Sequence, residues 1–534
     1  MRLLSKISAA CIFLLGMGLN AQGQEGRSMR DFEYIRLSAP WLSSSNAAGL
    51  AAMPVDRASI AEGALTKDNG GLKDDASSED SFGAGIQTES YLRINPRLTF
   101  YGKLSYTYDS GKNMGGSILM NPTYNPINFY ESVDTTGGVK NKELYHLLGG
   151  ISYALKDSRW TIGAKIDYES GDQAKLKDPR FLNVWMDLGT SIGTRFAASE
   201  GFSVGLNLEY RRTLETTSSK TYGISGKQYY SFVDYGGFFG SREILDGEYS
   251  MMSIGNSRPM LNNFMGGSLQ IEVGRKIKIF NELTYLLRTG YYGSRGSSSI
   301  TYTEHAGNVI RYKGRLIAGN QKNKHHVGLD LSYENLINNE NVFRMSTEVG
   351  ENTVVEYISQ NEVLDRTDIS AALSYTGYLN VENFRPRWEY GVNAAFSSRQ
   401  SLATIYPYYR SSGHSSISAD IYGKRNFLSG KNLFTVGLGL DFMTGFGVPK
   451  EDGFLANSSS EAPKSFDNYL YRDFEYKTAS RAGGSANVRY TRLISDNIGV
   501  YAQISERYTS LLQAAEYLSN GHRNTLAITI GCTF

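Results

Sequence analysis

From about residue 58 to the C-terminus the chain falls repeatedly into segments of roughly 10–13 residues in which apolar and polar side chains alternate. Leu98, Phe100, Leu104, Tyr106 and Tyr108 form one greasy face, while Arg97, Thr99, Lys103, Ser105 and Thr107 intervene. The split recurs in Phe202-Val204-Leu206-Leu208-Tyr210 and in Phe434-Val436-Leu438-Leu440-Phe442. A period of two is the signature of a strand whose faces meet different solvents, and no comparable helical period runs through the same region. About 18 strands are predicted. The first nine fall at 58–66, 82–94, 97–108, 143–155, 160–169, 183–196, 202–213, 264–274 and 280–292. The second nine fall at 325–334, 342–358, 368–379, 388–398, 414–424, 433–442, 481–493, 498–509 and 522–534.

Connection lengths separate a soluble sandwich from a membrane barrel. Segments 95–96, 156–159, 197–201, 275–279 and 494–497 are turn-sized, whereas 109–142, 214–263, 293–324 and 443–480 are long. Short and long connections alternate, as they must when turns gather at one end of a barrel and loops at the other. The faces agree with this. Polar faces carry acids such as Glu89, Asp167, Asp187, Glu209, Glu272, Asp330, Glu389 and Asp441, and bases such as Arg93, Lys103, Lys165, Arg195, Arg211, Arg288, Arg344 and Arg489. A lipid-facing Arg or Lys at mid-depth costs roughly 2–4 kcal/mol, whereas a wet lumen tolerates either sign. A charge at Val204 is therefore expected to hinder insertion, and one at Ser203 to be tolerated. Tyr108, Tyr153, Trp160, Tyr168, Tyr210 and Trp388, near strand ends, suit an interfacial girdle. The expected fold class is all-β: a transmembrane antiparallel β-barrel over 58–534, with both chain ends at the periplasmic side.

Composition removes competing classes. With 55 Lys+Arg against 53 Asp+Glu, a net charge of +2 gives no basic excess to hold nucleic acid. A mean hydropathy of −0.35, with no long apolar run after the N-terminus, excludes a bundle of membrane helices.

The N-terminus is expected to be an export signal over 1–21. Arg2 and Lys6 precede the apolar stretch Ile7 to Leu19, and Ala21 offers a small residue for cleavage. Cys11 lies inside that stretch, so the mature chain keeps only Cys532 and no internal disulfide is expected. Residues 22–57 lack sustained alternation yet hold Phe32, Tyr34, Ile35, Leu37, Trp41 and Leu50. That is too greasy for a tail in water, and an 18-strand lumen is too wide for its own side chains to fill. Trp41 to Leu50 is therefore expected inside the periplasmic half of the barrel, as a hatch.

Two resemblances bear on this. The whole chain resembles outer-membrane β-barrel families of unknown function from Bacteroidetes-type bacteria, which implies an outer-membrane location in a Gram-negative cell. Trp41-Leu-Ser-Ser-Ser-Asn46-Ala-Ala-Gly49-Leu50 resembles the Asn-Pro-Ala-Gly motif of hydrophobic-compound transporters related to the long-chain fatty-acid channel. Ala47 stands where that family has Pro, and the predicted strand number exceeds that family's usual 14. The resemblance implies a lumenal hatch with candidate residues Trp41, Asn46, Gly49 and Leu50, not a substrate. The terminal strand Arg523–Phe534 places Leu526, Ile528, Ile530, Cys532 and Phe534 on one face. It resembles the C-terminal signature that the barrel assembly machinery recognises, with Phe534 as the signal residue. A TonB-dependent receptor, with 22 strands and a plug, needs more chain than the mature length of about 510 residues allows.

Catalytic chemistry is sparse. Of six His, only His325 and His326 are adjacent, with His305 nearby, and neighbours on a strand point to opposite sides, which spoils them as joint metal ligands. Gly-x-Ser-x-Gly stretches at 189–193 and 201–205 fall in or at the start of predicted strands and not at a strand-to-helix turn, and no metalloprotease motif or phosphate loop occurs, so neither an enzyme nor a cofactor is expected. The predicted loops are rich in aromatics: Tyr229, Tyr230, Phe232 and Tyr235 in one, Tyr408 and Tyr409 in another, Tyr469 and Tyr471 in a third. They fit two roles: stacking on sugars or a partner protein, and packing on each other over the pore. Two functions remain open: a transport barrel for an unidentified solute, or a docking barrel whose loops bind a surface lipoprotein or receptor. Outer-membrane lipids and the assembly machinery are expected partners of either.

Overall fold

The structure is a computed structural model that describes residues 30–534 apart from 123, 133, 157–158, 224–225, 246–249, 253–257, 347–353, 496–497 and 519. The expected export signal lies outside the described residues.

In chain order the first strands are β1 (Arg57–Asn69), β2 (Asp80–Asn95), β3 (Leu98–Met114), β4 (Asn128–Glu131), β5 (Gly138–Ala154), β6 (Trp160–Lys175), β7 (Arg180–Ser199) and β8 (Phe202–Lys220). There follow β9 (Tyr230–Asp234), β10 (Phe239–Ile244), β11 (Arg258–Val273), β12 (Lys278–Gly293), β13 (Thr301–Gly319), β14 (Lys324–Ser346) and β15 (Val354–Leu379). The last are β16 (Trp388–Ile405), β17 (Tyr408–Ser429), β18 (Asn432–Phe454), β19 (Lys464–Ser465), β20 (Arg481–Ser495), β21 (Ile498–Leu511) and β22 (His522–Thr533). Among the described residues two α-helices accompany them, α1 (Phe32–Leu37) and α2 (Asp467–Thr478).

Eighteen of these strands form one antiparallel sheet, and β4, β9, β10 and β19 form a separate four-stranded sheet. The large sheet closes because β1 pairs with β2 on one side and with β22 on the other, Ala61 opposite Thr88 and Cys532. Closure leaves no free edge, so every strand's backbone is satisfied within the wall. Ser59 O accepts the Phe534 N–H at 3.1 Å, fastening the end of the last strand to the first.

The two faces follow the alternation. Outward-pointing Ile192, Leu208, Met265, Leu438 and Leu440 are all more than 60% exposed, the reverse of a globular core and the signature of a lipid belt. Their chain neighbours point into a polar, largely ion-paired lumen, as in Arg211 with Asp187 and Arg315 with Asp330. Glu506 departs from the pattern. It lies outward between Ile504 and Tyr508 and accepts from Asn524 Nδ2 at 3.2 Å, toward the loop end of its strand.

The strand total agrees with the sequence reading, but two members differ. The expected strand at 342–358 is the far end of a long hairpin, Val342 to Ser346 finishing β14 and Val354 to Ile358 beginning β15. The expected loop at 293–324 holds a full strand, β13. Its alternation is masked because Asn308 faces outward, bonded by the Tyr285 hydroxyl at 2.7 Å, while Val309 is buried inward with Phe264 and Leu286. The two differences cancel in the count. Strands β14, β15, β17 and β18 run 22 to 26 residues, against roughly 9–11 needed to cross a bilayer. They project beyond the membrane at the loop end.

Candidate functional site

The lumen is entered from both ends by the chain's own polypeptide. At the end of the short turns, residues 30–56 cross the bore from wall to wall. Asp31 caps α1, its Oδ1 accepting the Tyr34 N–H at 3.1 Å, and its backbone N–H donates to Phe384 O at 3.1 Å. Lys424 lies between Asp31 and Glu389, 3.1 Å from each carboxylate. Burial works against the Asp31 charge, but Lys424 and the Tyr34 N–H hold its carboxyl below the usual range. Across the bore, the Lys313 ammonium donates to Ser43 O at 2.6 Å, and Ser44 and Ser45 bind the Glu282 carboxylate.

The innermost part is a 3₁₀ turn, Ala47–Ala52, capped by Asn46. Asn46 is 1% exposed. Its Oδ1 accepts the Ala48 N–H at 3.0 Å, and its Nδ2 donates to Thr194 O and Gln270 Oε1, each at 3.0 Å. Asparagine suits this place because one amide carries an acceptor for the turn and donors for the wall. The wall makes room through glycine. A Cβ at Gly163 would sit 2.2 Å from Ala48 N, one at Gly193 2.2 Å from Asn46 Oδ1, and one at Gly205 2.8 Å from the Trp41 ring.

The candidate hatch residues thus lie together in the lumen. Trp41 is 1% exposed, edge-on to Phe280 at 5.2 Å, with the Arg195 guanidinium 4.8 Å from its ring centre. Gly49 is where the turn doubles back on Trp41, since a Cβ there would lie 2.6 Å from Trp41 O. Leu50 packs with Ile35, Met53, Val55 and Tyr91.

At the loop end the second sheet joins three long loops. β4 pairs with β9, β9 with β10 and β10 with β19, placing Tyr130 opposite Phe232 and Phe239 opposite Ser465. Ile118, Ile127, Phe129, Val233 and Phe239 form its core. The first of these loops dips into the lumen, where Met120 N–H reaches Glu215 at 2.7 Å, and Tyr124 O and Asn125 O accept from Arg288 and Arg366. Arg410 ties wall and loops together. It donates to Asp452 at 2.6 and 2.7 Å, to Gly237 O at 3.0 Å and to Ser465 Oγ at 2.7 Å. Burial pushes the Asp75 carboxyl up to about 7 despite its ion pair with Arg472. It lifts Asp234 to about 6 despite the Gly236 N–H.

Most of the predicted loop aromatics are spent inside this cap. Phe232 is fully buried and stacks on Phe466 at 4.1 Å, Tyr469 lies against Tyr130 and Phe238, and the Tyr235 hydroxyl donates to Glu340 at 2.6 Å. Tyr229 packs on the cap core beneath Lys227, and Arg242 covers the Tyr230 ring. Tyr408 donates to Ser460 O, half-buried Tyr409 crowds Gly453, and Tyr471 stacks on Tyr517. Among the described residues the strongly exposed loop-end aromatics are others, Tyr222, Tyr406 and Phe454. Phe534 is half-buried at the barrel seam under the Arg57 guanidinium. His325 stacks on Tyr375 and His326 meets Tyr378 across the strand, while His305 is buried against Asn262.

Between the N-terminal segment and the loop sheet lies polar space. One cavity of about 420 Å³ is lined by Glu282, Thr284, Ser332, Ser370, Ser397 and Ser416. A second, of about 300 Å³, is lined by His146, Asp167, Glu169, Asp187 and Arg211. Ser45, Glu209 and Arg311 line both, so the two meet beside the N-terminal segment. The sequence reading placed Arg195 on a polar face but not against Trp41, and it missed Gln270, Lys424 and Arg410, whose partners are far away in the chain. Gly163, Gly193 and Gly205 did carry a signal, as side-chain-free positions on lumenal faces.

A closed, even-numbered antiparallel barrel with a lipid belt, a wet lumen, turns at one end and long loops at the other is an outer-membrane β-barrel protein. Within that class the chain belongs to the family of unknown function DUF6850, whose model matches residues 47–534, the Ala47–Ala52 turn included. No curated protein matches the chain. Similar solved structures include the ferric preacinetobactin receptor BauA from Acinetobacter baumannii, with 8% identity over 89% of this chain and 80% of that one, at a TM-score of 0.35. The outer membrane transporter YddB from Escherichia coli gives 8%, 89% and 80% at 0.40, and the FrpB iron transporter from Neisseria meningitidis 8%, 90% and 82% at 0.36. Likeness at this level says nothing of solute or partner.

Proposed function

We propose that this protein is a gated, non-catalytic passage through the outer membrane, with residues 30–56 as its periplasmic hatch and the loop sheet as its outer cap. One observation carries the reading. Asn46 and its neighbours are seated in the lumen wall by specific hydrogen bonds, yet open polar space remains directly beside them. A segment serving only to stabilise the barrel would be expected to fill the bore. The hatch motif's resemblance to that of hydrophobic-compound transporters supports its role as a hatch, whereas the polar lumen does not favour their cargo.

The test is single-channel conductance in planar bilayers. Wild type is expected to show small or rare openings, and a variant lacking residues 30–56 a larger, steadier conductance with assembly intact. Equal conductance from the two folded proteins would refute the hatch. A second reading, docking of a surface lipoprotein or receptor, draws support from Tyr406 in the β16–β17 turn and from Phe454 and Leu455 at the projecting end of β18, each more than 60% exposed. Co-purification in mild detergent, lost on Tyr406→Ser, would favour it. Phe534 is proposed as the residue that the assembly machinery recognises.

A further inference from the structure

The small residues of the lumen wall fall on one continuous line of cross-strand partners. Ser152 is opposite Gly163, Gly163 opposite Gly193, Gly193 opposite Asn207, and Asn207 opposite Ser268. The line continues through Thr284, Arg311, Ser332, Ser370, Ser397 and Ser416, each opposite the next, and ends at Gly445. Where it begins, the hatch lies on it. Ser152 Oγ donates to Ala48 O at 3.3 Å, Gly163 and Gly193 touch Ala48 and Asn46, and Ser268 Oγ is 2.9 Å from Ser45 Oγ. Where it ends, α2 lies on it, since a Cβ at Gly445 would be 2.7 Å from Thr478 Cα. At both ends the side chains are small because polypeptide packs on them. In the middle, Thr284 to Ser416, they are nearly as small, Arg311 apart, and what they face is the cavity of about 420 Å³.

We propose that this middle stretch is a binding site for a neutral polyhydroxylated solute of mono- to disaccharide size. The volume falls within the roughly 300–1,000 Å³ of small-molecule pockets. Four serine hydroxyls in a row, those of Ser397 and Ser416 bonded to each other at 2.8 Å, offer donors and acceptors together, which suits a ligand carrying both along its length. The charged groups at the site argue for neutrality. Lys313 is engaged by Ser43, Glu282 by Ser44 and Ser45, and Asp330 by Arg315. Arg311, which has no ion-pair partner among the described residues, lines the same cavity as Glu209. An anion would meet Glu209 and Glu282, and a cation would meet Arg311 and Lys313. A hydroxyl pair can accept from the guanidinium and donate to a carboxylate. The hatch's own Ser43-Ser44-Ser45-Asn46, rich in hydroxyl and amide groups, sits on the same line.

The site deepens the passage reading and rests on it, but binding and passage are measured separately. Maltose, gluconate and putrescine are titrated calorimetrically into the full chain folded in detergent. Maltose is expected to bind saturably, gluconate and putrescine at least about tenfold more weakly. Replacing Ser332, Ser370, Ser397 and Ser416 together by Ala should weaken maltose at least about tenfold, since each neutral hydrogen bond contributes roughly 0.5–1.5 kcal/mol. Ser397→Trp, which fills the cavity, should abolish binding. Should a variant fail to fold, competition among the three solutes on wild type decides alone. No saturable binding of maltose to the folded protein, tighter binding of either ion, or an undiminished affinity in the Ala variant would overturn the proposal. A raised conductance in the hatch-less variant would then still leave the passage standing.

Discussion

The Arg195 guanidinium rests over the indole of Trp41, 4.8 Å from the ring centre, and so joins the wall of the barrel to the segment that enters it. The aromatic quadrupole attracts the cation, and burial strengthens the contact to about 2 kcal/mol. Phe280 closes the other edge of the indole. Trp41→Ala would remove both contacts and leave a void, at a cost of about 3–5 kcal/mol by analogy with buried aromatics. The expected outcome is a higher open probability in single-channel recordings with unchanged heat-modifiable migration of the barrel. Arg195→Lys, which keeps charge but loses the planar stack, should give an intermediate value.

The glycines under the hatch make a complementary prediction from the wall's side. Gly163→Val and Gly193→Val would drive side chains into Ala48 and Asn46, which stand 2.2 Å from the new Cβ positions. Valine itself favours a strand. The wall should therefore persist while the hatch is displaced, and conductance should approach that of the variant lacking residues 30–56. Gly423→Val is the control, for its Cβ would meet nothing within 4 Å. It should leave conductance alone.

Arg410 plays the corresponding part at the outer end. Its guanidinium is almost fully buried and satisfies groups on a loop and on the wall at once. Asp452 is itself about half exposed and can turn to water, so truncating Arg410 costs chiefly its hydrogen bonds to Gly237 O and Ser465 Oγ, roughly 1.5–3 kcal/mol each for a charged donor. Arg410→Ala is expected to loosen the cap without unfolding the barrel, seen as faster proteolysis within 221–257 and 455–480 on intact cells. Unchanged cleavage would show that the four-stranded sheet holds without it.

Acidity should act on the cap in a definite direction. Asp75 and Asp234, at about 7 and 6 when the loops are packed, return to the ordinary carboxylate value of 3.8 when the loops open to water. The packed cap therefore holds more protons than the open one between those values, so its stability is greatest below about pH 4 and falls as pH rises through 6 and 7. Loop proteolysis and channel opening should both increase from pH 5 to pH 8. Asp75→Asn should flatten the upper part of the profile, because the amide needs no proton to stay buried.

Much of this architecture was legible because lipid and water sort side chains with a period of two, and a closed barrel imposes that sorting on nearly every strand. β13 escaped because its faces break the rule for local reasons. Val309 turns inward to meet Tyr124 of the inserted loop, and Asn308 turns outward under a tyrosine hydroxyl. The location of the hatch could be reasoned from its greasy side chains and the width of the lumen. Its contacts could not, since Asn46 and Gln270 are 224 residues apart and nothing local links them. The loop aromatics were ambiguous for a related reason: aromatic content is the same whether rings face a partner or, as Phe232 and Phe466 do, each other.

The facing of the wall is open to a single-residue test, though not at the pair the sequence suggests. Ser203 is lumenal but 2% exposed, within 3.4 Å of Arg195, so an arginine there would be crowded and repelled by a like charge. Phe396 and Ser397 give a cleaner comparison. Phe396 shares the outward face with Val392 and, across the strand, Ile417, both more than 45% exposed. Ser397 points the other way, into the open cavity, where an added side chain has space and water. Phe396→Arg places a charge toward the middle of the lipid belt, at roughly 2–4 kcal/mol, whereas Ser397→Arg places the same charge in an aqueous lumen. The expected result is a clear loss of folding yield into lipid vesicles for Phe396→Arg and near-wild-type yield for Ser397→Arg. The second variant should also narrow the chamber, lowering conductance in the background lacking residues 30–56. Equal yields for the two would mean that the wall is turned the other way, because a step of one residue is all that separates lipid from lumen.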